Sequence, residues 1–222
     1  MKRTYQSPLR EEAARVTRGR IRDAAVELFV QNGFVATTMK QVAARAGVAE
    51  RTVYTAYATK ADLFRDAVNV ALVGDELPVA ILDRGEVRAA MAERDGRQAL
   101  AQAVTYNVAI SERANDLVMV GELSSGADSD MRQFTKEGSR VMAAGMRLFA
   151  AALASHRSLR SDVDVDRAAD ILFFYLSPYT HHLLRRVRGW SAEDFRVWLL
   201  DALVRELLPA EEDPPPLSDR PE

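Results

Sequence analysis

Three polar side chains near residue 50 have the chemistry to read the edges of DNA base pairs. Arg51 could bridge guanine O6 and N7 in the major groove. Glu50 could accept a hydrogen bond from cytosine N4 or hold Arg51 in place, and Thr55 could touch a thymine methyl group. All three are exposed on one helix if Val53 and Tyr57 point inward, although an ordinary solvated helix face could carry the same residue types.

A helix-turn-helix is needed to present those side chains, and the surrounding residues predict one. Thr38 and Gln41 form a capping box that begins a second helix, and Gly47 ends that helix. The third helix then covers about residues 49–57, and Thr59 caps a fourth helix. Two helices that cross steeply across a short turn need a glycine where the chain reverses.

An arginine-rich helix before this motif supplies more of its core. This helix is predicted to run from about Glu12 to Asn32, and the following Gly33 ends it. Its apolar residues fall on one helical stripe, namely Ile21, Ala24, Ala25, Leu28 and Phe29. Its basic residues cluster in the first half, at Arg15, Arg18, Arg20 and Arg22.

The spacing of the residues from Phe34 to Leu63 is similar to that of a known family. The pattern F-x-x-T-T-x-x-x-V-A-x-x-A-G-V-x-x-x-T-V-Y-x-x-[apolar]-x-x-K-x-x-L resembles the DNA-binding domain of TetR-type transcriptional regulators over about residues 15–65. The resemblance implies an all-α fold with an N-terminal three-helix DNA-binding domain and a C-terminal helical ligand-binding and dimerisation domain. It also implies phosphate-contacting positions at Thr38, Thr52, Tyr54 and Lys60.

Two residues depart from the family pattern at the recognition helix. Ala49 stands where the family usually has Ser or Thr, so an N-cap typically worth about 1 kcal/mol is absent. Ala56 stands where the family usually has a polar residue that reaches a phosphate. We therefore expect DNA affinity to depend more on Thr38, Tyr54, Lys60 and the arginines of the first helix.

The chain divides into four segments by composition and helical pattern. We expect a flexible basic arm over residues 1–11, the DNA-binding domain over 12–62, the regulatory and dimerisation domain over 63–208, and a disordered acidic, proline-rich tail over 209–222. The clearest helices of the regulatory and dimerisation domain are predicted over residues 97–111, 115–123, 131–155, 165–188 and 191–208. The helix over 165–188 is apolar almost all round, which indicates burial on two sides, and Pro178 should kink it.

The resemblance implies three partners, which are palindromic double-stranded operator DNA, a second copy of the chain and a small apolar or amphipathic effector. A two-fold dimer would place two recognition helices about 34–36 Å apart. The candidate effector-binding residues are Tyr106, Asn107, Met119, Met142, Met146, Phe149, Phe173, Tyr175 and Tyr179. The candidate dimer-interface residues are Leu172, Leu176, Leu183, Trp198, Leu199 and Leu203.

Charge is distributed unevenly along this chain, whose net charge is −2. Residues 1–65 hold 12 Lys/Arg against 6 Asp/Glu, and residues 66–222 hold 18 against 26. We call residues 1–65 the head and residues 66–222 the body. A basic head on an acidic body suggests that the head binds a polyanion, although chance asymmetry of charge is the alternative.

Several classes of function are disfavoured by what the sequence lacks. Cysteine is absent, and the adjacent His181 and His182 cannot both face one metal from a regular helix, so no metal site or cofactor is expected. No apolar run could span a bilayer and no secretory signal is recognisable, so a cytoplasmic protein without membrane contact is expected. No enzymatic motif is found, so we do not expect an enzyme. The resemblance instead implies a DNA-binding regulator, which we expect to be a homodimeric repressor released by a small apolar or amphipathic ligand. The alternatives are an activator of the same family, or an all-helical small-molecule-binding protein or enzyme.

Overall fold

The computed structural model describes residues 8–77 and 80–210, and within them the fold is all-helical, as predicted. The α-helices in chain order are α1 Pro8–Ala36, α2 Met39–Ala46, α3 Glu50–Ala56, α4 Lys60–Val73, α5 Gly85–Ala92, α6 Gly96–Ser124, α7 Ser129–Ser155, α8 Val165–Tyr175, α9 Pro178–His181 and α10 Ala192–Leu207. A 3₁₀ turn covers Ile81–Asp83, and a π-helical segment, His182–Val187, continues α9. A flexible arm is expected over residues 1–11, but residues 8–11 already lie in α1, so that part of the prediction is wrong. Residues 1–7 of the expected arm and residues 211–222 of the expected tail lie outside the described residues.

The helix caps of the head form as the sequence predicts. The Thr38 hydroxyl accepts a hydrogen bond from the Gln41 N–H at 3.2 Å, and the Thr38 N–H donates to the Gln41 side chain at 2.8 Å. Thr59 and Asp62 form the same reciprocal pair at the start of α4. Gly47 ends α2 in the left-handed conformation, with a φ of 64°. These caps fix the two helices between which α3 is held.

The helix that the sequence divides near residue 112 is continuous in the structure. α6 runs unbroken through residues 97–123, where two separate helices were predicted, so that prediction is wrong. The polar residues at the supposed break bind neighbouring elements. Glu112 pairs with the π-helical segment, and Arg113 donates to carbonyl groups at the end of α4. The polar residues in the middle of α6 are therefore explained by their contacts with neighbouring elements and do not mark a loop.

The region around Pro178 is broken where a single kinked helix was predicted. α8 ends at Tyr175, and Pro178 occupies the first turn of α9, which Ser177 caps by accepting from the Thr180 N–H. Proline is well tolerated at a helix start, because its missing N–H would have no intrahelical partner there.

The head and the body share part of one hydrophobic core. Phe29, Phe34 and Phe64 pack in the head with ring centroids 5.2–5.7 Å apart. Phe64 also meets Phe134 of α7 edge to face, with centroids 5.2 Å apart. Gly121 of α6 permits this approach, because a Cβ atom there would lie 2.9 Å from the Phe134 ring. The head is thus seated directly on α6 and α7.

A second core fills the body between α6, α7, α8 and α10. Its fully buried leucines are Leu100, Leu153, Leu172, Leu199 and Leu203, with Leu207 at the end of α10. The last long helix, α10, is therefore packed into the body core of its own chain.

Candidate nucleic-acid interface

The recognition helix α3 turns one face inward and leaves a polar face in solvent. Val53 and Tyr57 are buried, as the predicted orientation requires. Glu50, Arg51 and Thr55 are exposed. Among the described residues, Arg51 has no salt-bridge partner, so its guanidinium is available to a ligand.

The other predicted contact residues of α3 keep part of their surface in solvent. Tyr54 is half-exposed and Thr52 is half-buried. The Thr55 hydroxyl donates to the Arg51 carbonyl at 2.8 Å, which leaves its methyl group as the part free to meet a base. Ala49 provides no side-chain cap, as its type dictates.

Arg20 of α1 fixes the turn that leads into α3. Its guanidinium donates to the Ala46 carbonyl at 2.6 Å, at the C-terminal end of α2. A cation is favourable there, because the unpaired carbonyls at a helix end carry partial negative charge. Across the turn, the Val48 N–H donates to the Ala43 carbonyl at 3.1 Å. The arginine-rich α1 therefore contributes a structural contact as well as positive charge.

Lys60 is turned into the head. Its ammonium group donates to the carbonyl oxygens of Phe34 and Thr37 at 2.7 and 2.9 Å, and it lies 4.3 Å from the centre of the Phe34 ring. Burial lowers the pKa of Lys60. These contacts hold the exit of α1 against α4, and the phosphate contact that the resemblance implies for Lys60 would require breaking them.

Thr37 is a positioning residue that the sequence reasoning missed. It is fully buried, and its hydroxyl donates to the carbonyls of Gly33 and Leu28 at 2.8 and 3.1 Å. Gly33 has a φ of 78°, so the chain leaves the regular helix there and Thr37 fastens the exit. A threonine pair before a helix signals a cap, but only burial separates the capping threonine from the anchoring one.

A chain of polar contacts links the recognition helix to the end of α4. The Tyr57 hydroxyl donates to Asp66 Oδ2 at 2.6 Å, and Arg22 Nη1 lies 3.2 Å from the same oxygen. Arg22 is only 8% exposed and also binds Glu76, just beyond α4. Burial and the Asp66 carboxylate raise the pKa of Tyr57 to about 12, so its phenol remains a donor at neutral pH.

A cleft of about 850 Å³ lies in the body beside the end of α4. Tyr106, Arg84 and Arg113 are among its lining residues. Arg84 is held by Asp75 at 2.6 Å, and Arg113 donates to the Leu72 carbonyl at 3.2 Å. A ligand in the cleft would therefore touch the groups that hold the end of α4. Asp75 directly precedes the glutamate that binds α1.

The nine predicted effector-binding residues do not line one cavity. Tyr106 lines the cleft beside α4, whereas Phe173, Tyr175 and Tyr179 line a separate apolar groove of about 530 Å³. The other five are used within the fold: Met119 and Phe149 are buried, Met142 and Met146 pack against the body core, and Asn107 donates to the Leu176 carbonyl. Helical spacing cannot separate a cavity wall from a core face, because both take large apolar side chains.

Four of the six predicted dimer-interface residues lie in the body core. Leu172, Leu199 and Leu203 are 0% exposed and Leu176 is 5% exposed, so that part of the prediction is wrong. A side chain without exposed surface cannot contact a second copy. Leu183 is exposed, and Trp198 is half-buried beside the apolar groove. We define the apolar face as the exposed residues Phe174, Tyr179, Leu183 and Val187.

No sequence pattern predicts the ion cluster that lies beside the π-helical segment. Glu112 of α6 accepts hydrogen bonds from Arg185 at 2.6 and 2.9 Å and pairs with the buried His181 at 2.9 Å. Hydrogen bonding from Arg185 lowers the pKa of Glu112 to about 2, and burial lowers the pKa of His181. The partners stand 69 and 73 positions apart in sequence, so no local pattern announces them.

Two features are absent from the part of the chain that the structure describes. No helix in residues 8–77 and 80–210 is long and apolar enough to cross a membrane. The same residues contain no group of three or more His, Asp or Glu side chains that could hold a metal ion.

Comparison with known proteins agrees with this geometry. Residues 21–67 match the family model of bacterial regulatory proteins, tetR family. NalD, the secondary repressor of the MexAB-OprM multidrug efflux pump in Pseudomonas aeruginosa, is 22% identical over 89% of this chain and 99% of its own, with a TM-score of 0.66. SmeT in complex with triclosan is 18% identical over 93% of this chain and 99% of its own, with a TM-score of 0.63. No curated protein matches the chain significantly.

A third solved structure carries a different small molecule. A transcriptional regulator from Saccharomonospora viridis in complex with choline is 17% identical over 86% of this chain and 97% of its own, with a TM-score of 0.65. At these identities the likeness establishes the fold, and the match over residues 21–67 establishes the nature of the head. The family prediction is thereby confirmed, and this chain carries a tetR-family DNA-binding domain on a body with the fold of TetR-type regulators.

Proposed function

We propose that the protein is a transcriptional repressor that binds palindromic operator DNA as a homodimer and leaves it when a small amphipathic molecule binds the body. The observation that carries the DNA-binding part is the free polar face of α3, on which Arg51 is exposed while Val53 and Tyr57 fix the helix orientation. A bidentate arginine–guanine contact discriminates between bases by about 1–3 kcal/mol, so Arg51 is expected to dominate base choice.

Phosphate contacts would come from residues that flank α3. Thr38, Thr52 and Tyr54 stay in this role, because each retains exposed or partly exposed surface beside the free face. Lys40, exposed in the first turn of α2, is a better-placed cation than Lys60, whose ammonium is occupied by backbone carbonyls. Each phosphate contact releases counterions, so affinity should fall steeply with salt.

Two copies are proposed to meet through the apolar face. Its four side chains are 51–64% exposed, and three of them line the 530 Å³ groove. Contiguous exposed apolar surface on a soluble protein marks an interaction site. A two-fold pair would cover this face and set two recognition helices about 34–36 Å apart, as a palindromic operator requires.

The cleft beside α4 is the proposed effector site. Its walls combine Tyr106 and charged groups such as Arg84 with small apolar residues such as Ala109, which suits an amphipathic molecule. SmeT with triclosan and the Saccharomonospora viridis protein with choline are examples of this fold holding small molecules, and they support the proposal.

Release from DNA is proposed to follow from linkage between the cleft and the head. An effector that binds better to a body conformation with wrongly spaced heads must weaken DNA binding by the same factor. The contacts that would carry this coupling start at Asp75 in the cleft, continue through Glu76 and Arg22 to Asp66, and end at Tyr57 of the recognition helix.

Binding of the purified protein to DNA from upstream of its own gene tests this proposal. Retarded DNA mobility that persists against excess non-specific DNA, and that declines over a salt series, supports a sequence-specific DNA-binding protein. Retardation that the competitor abolishes contradicts it. Turnover of a metabolite without DNA binding would favour the enzymatic alternative instead.

A further inference from the structure

A basic cleft lies at the end of α6 that is remote from the head. Gly121 packs against the head, whereas Gly96 lines this cleft, which puts the two sites roughly 37 Å apart along the helix. The cleft has a volume of about 1060 Å³ and lies between the start of α6, the loop after α7 and the end of α10. Its described lining contains a single acid, Asp95, and four arginines, Arg97, Arg157, Arg160 and Arg205. We call it the distal arginine cleft.

The arginines of this cleft differ in what they already bind. Arg160 pairs with Asp162 at 2.6 Å and donates from its side chain to the Arg205 carbonyl at 3.2 Å, so it braces the end of α10. Arg157 and Arg205 are exposed and have no ion-pair partner among the described residues. These two guanidinium groups are therefore available to an anion.

Arg157 occupies a backbone position that favours glycine. Its φ is 57°, in the left-handed region, where a side chain is strained. The Ser158 N–H donates to the Leu153 carbonyl and the Arg157 N–H donates to the Ala154 carbonyl, both at 3.0 Å, which is the Schellman pattern that glycine usually completes. The backbone therefore gives no reason for an arginine, whereas the charge of the cleft does.

The sequence supplies opposite charge directly after the residues that line this cleft. Pro209 and Ala210 are among its lining residues, and the sequence continues with Glu211, Glu212 and Asp213, which lie outside the described residues. Three residues span at most about 10 Å when fully extended, a length that would allow carboxylates placed directly after Ala210 to reach the cleft. Covalent attachment also raises the effective concentration of the segment to roughly the millimolar range. Individually weak ion pairs can then be occupied together.

We propose that the distal arginine cleft is an intramolecular binding site for the acidic segment 211–222, whose first carboxylates pair with Arg157 and Arg205. Over its whole length this segment carries five acidic residues and one basic residue. Its binding neutralises a basic surface that would otherwise attract DNA phosphates without sequence preference and compete with the head. This proposal goes beyond the proposed function and does not depend on operator binding.

A competition experiment with the full chain tests the proposal. The probe is a fluorescein-labelled peptide of residues 211–222, titrated at low salt with the native protein and with the full-length variant E211Q/E212Q/D213N. The variant should bind the peptide at least tenfold more tightly, because its own segment no longer fills the cleft. Equal binding by the two proteins, or binding by neither, overturns the proposal.

Arginine substitutions added to the E211Q/E212Q/D213N variant locate the site. Arg157→Gly should abolish the gain in peptide affinity without harming the fold, since glycine relieves the left-handed backbone. Arg205→Ala should do the same from the opposite wall of the cleft. Arg140→Ala, an exposed position on α7, is the matched control and should keep the gain. If Arg140→Ala lowers peptide affinity as much as Arg157→Gly does, the attraction is general and the assigned cleft is wrong.

Discussion

The Tyr57 hydroxyl donates a 2.6 Å hydrogen bond to the Asp66 carboxylate, and this contact ties the C-terminal cap of the recognition helix to α4. Arg22 of α1 binds the same carboxylate, so three helices of the head meet at one group. The face of α3 that would read DNA cannot turn relative to α4 without breaking this junction. Under the proposed function, a conformational change in the body would act on the DNA-binding face of α3 through this junction.

A double-mutant cycle across this contact should show direct coupling. Tyr57→Phe should lower the free energy of unfolding by about 1 kcal/mol, because the partly buried Asp66 carboxylate loses a donor. Asp66→Asn should lower it further, since Arg22 also loses its partner. The double variant should lose less than the sum, with a coupling energy of about 1 kcal/mol by denaturant unfolding. Strict additivity would mean that the hydrogen bond does not contribute to stability.

Lys60 should act on stability more than on DNA affinity. Lys60→Met should lower the free energy of unfolding by about 2 kcal/mol, because the carbonyls of Phe34 and Thr37 lose a charged donor. Lys40→Met is the matched control and should leave thermal unfolding unchanged while it reduces the salt slope of DNA binding by about 1. The reverse pattern, with an intact melting temperature and a reduced salt slope for Lys60→Met, would restore Lys60 as a phosphate contact.

Glu112 should make the protein sensitive to acid. Its pKa is about 2 in the folded protein, below the ordinary value of 4.5, so the unfolded chain takes up its proton at higher pH. The stability that Glu112 contributes is therefore present above pH 4.5 and is lost as pH falls toward 2. Its side chain is 30% exposed, so solvent screening limits this contribution to about 1–2 kcal/mol.

Unfolding free energies measured across this pH range check the assignment. Glu112→Gln should be less stable at pH 7, where Arg185 and His181 lose a carboxylate partner, and should show a flatter decline in acid. Glu206→Gln removes an exposed carboxylate from α10 and should follow the native curve. Parallel curves for the native protein and Glu112→Gln would show that this cluster does not set the acid sensitivity.

A charge on the apolar face should separate the two copies of the proposed dimer. Leu183→Glu places a carboxylate where the exposed leucine would be covered, and desolvation of that charge opposes association. Sedimentation equilibrium should then show a monomer. Circular dichroism should show unchanged helix content, and a DNA titration should show lower affinity for palindromic DNA. Leu123→Glu, at another exposed leucine, should remain a dimer. A dimeric Leu183→Glu protein would move the interface elsewhere.

The head could be predicted because its determinants are local in sequence. The capping box pairs Thr38 with Gln41, three positions later, and Gly47 ends α2 through its own left-handed backbone. Val53 and Tyr57, four positions apart, both point inward. Contacts at long separation were beyond that reasoning. Lys60 finds its carbonyl partners 23 and 26 positions earlier, and no propensity or periodicity encodes such a pairing.

The last helices of the body show why periodicity misassigned the dimer residues. Leu172 and Leu183 both belong to a stretch that is apolar almost all round, so its pattern does not identify an outward side. The break before Pro178 and the π-helical turn after α9 shift the helical phase between them. Leu172 consequently lies in the core, while Leu183 lies in solvent.

Arg51 is the residue through which α3 is proposed to read DNA, and a comparison of DNA affinities tests this role. Native protein and Arg51→Ala would be titrated with DNA from upstream of the protein's own gene, at fixed salt and with non-specific competitor. We expect Arg51→Ala to lose at least tenfold in affinity for this DNA, or about 1.4 kcal/mol, because each bidentate arginine–guanine contact is worth about 1–3 kcal/mol. Non-specific binding should change little. Arg140→Ala should bind as the native protein does. Unchanged affinity and sequence preference for Arg51→Ala would contradict the account.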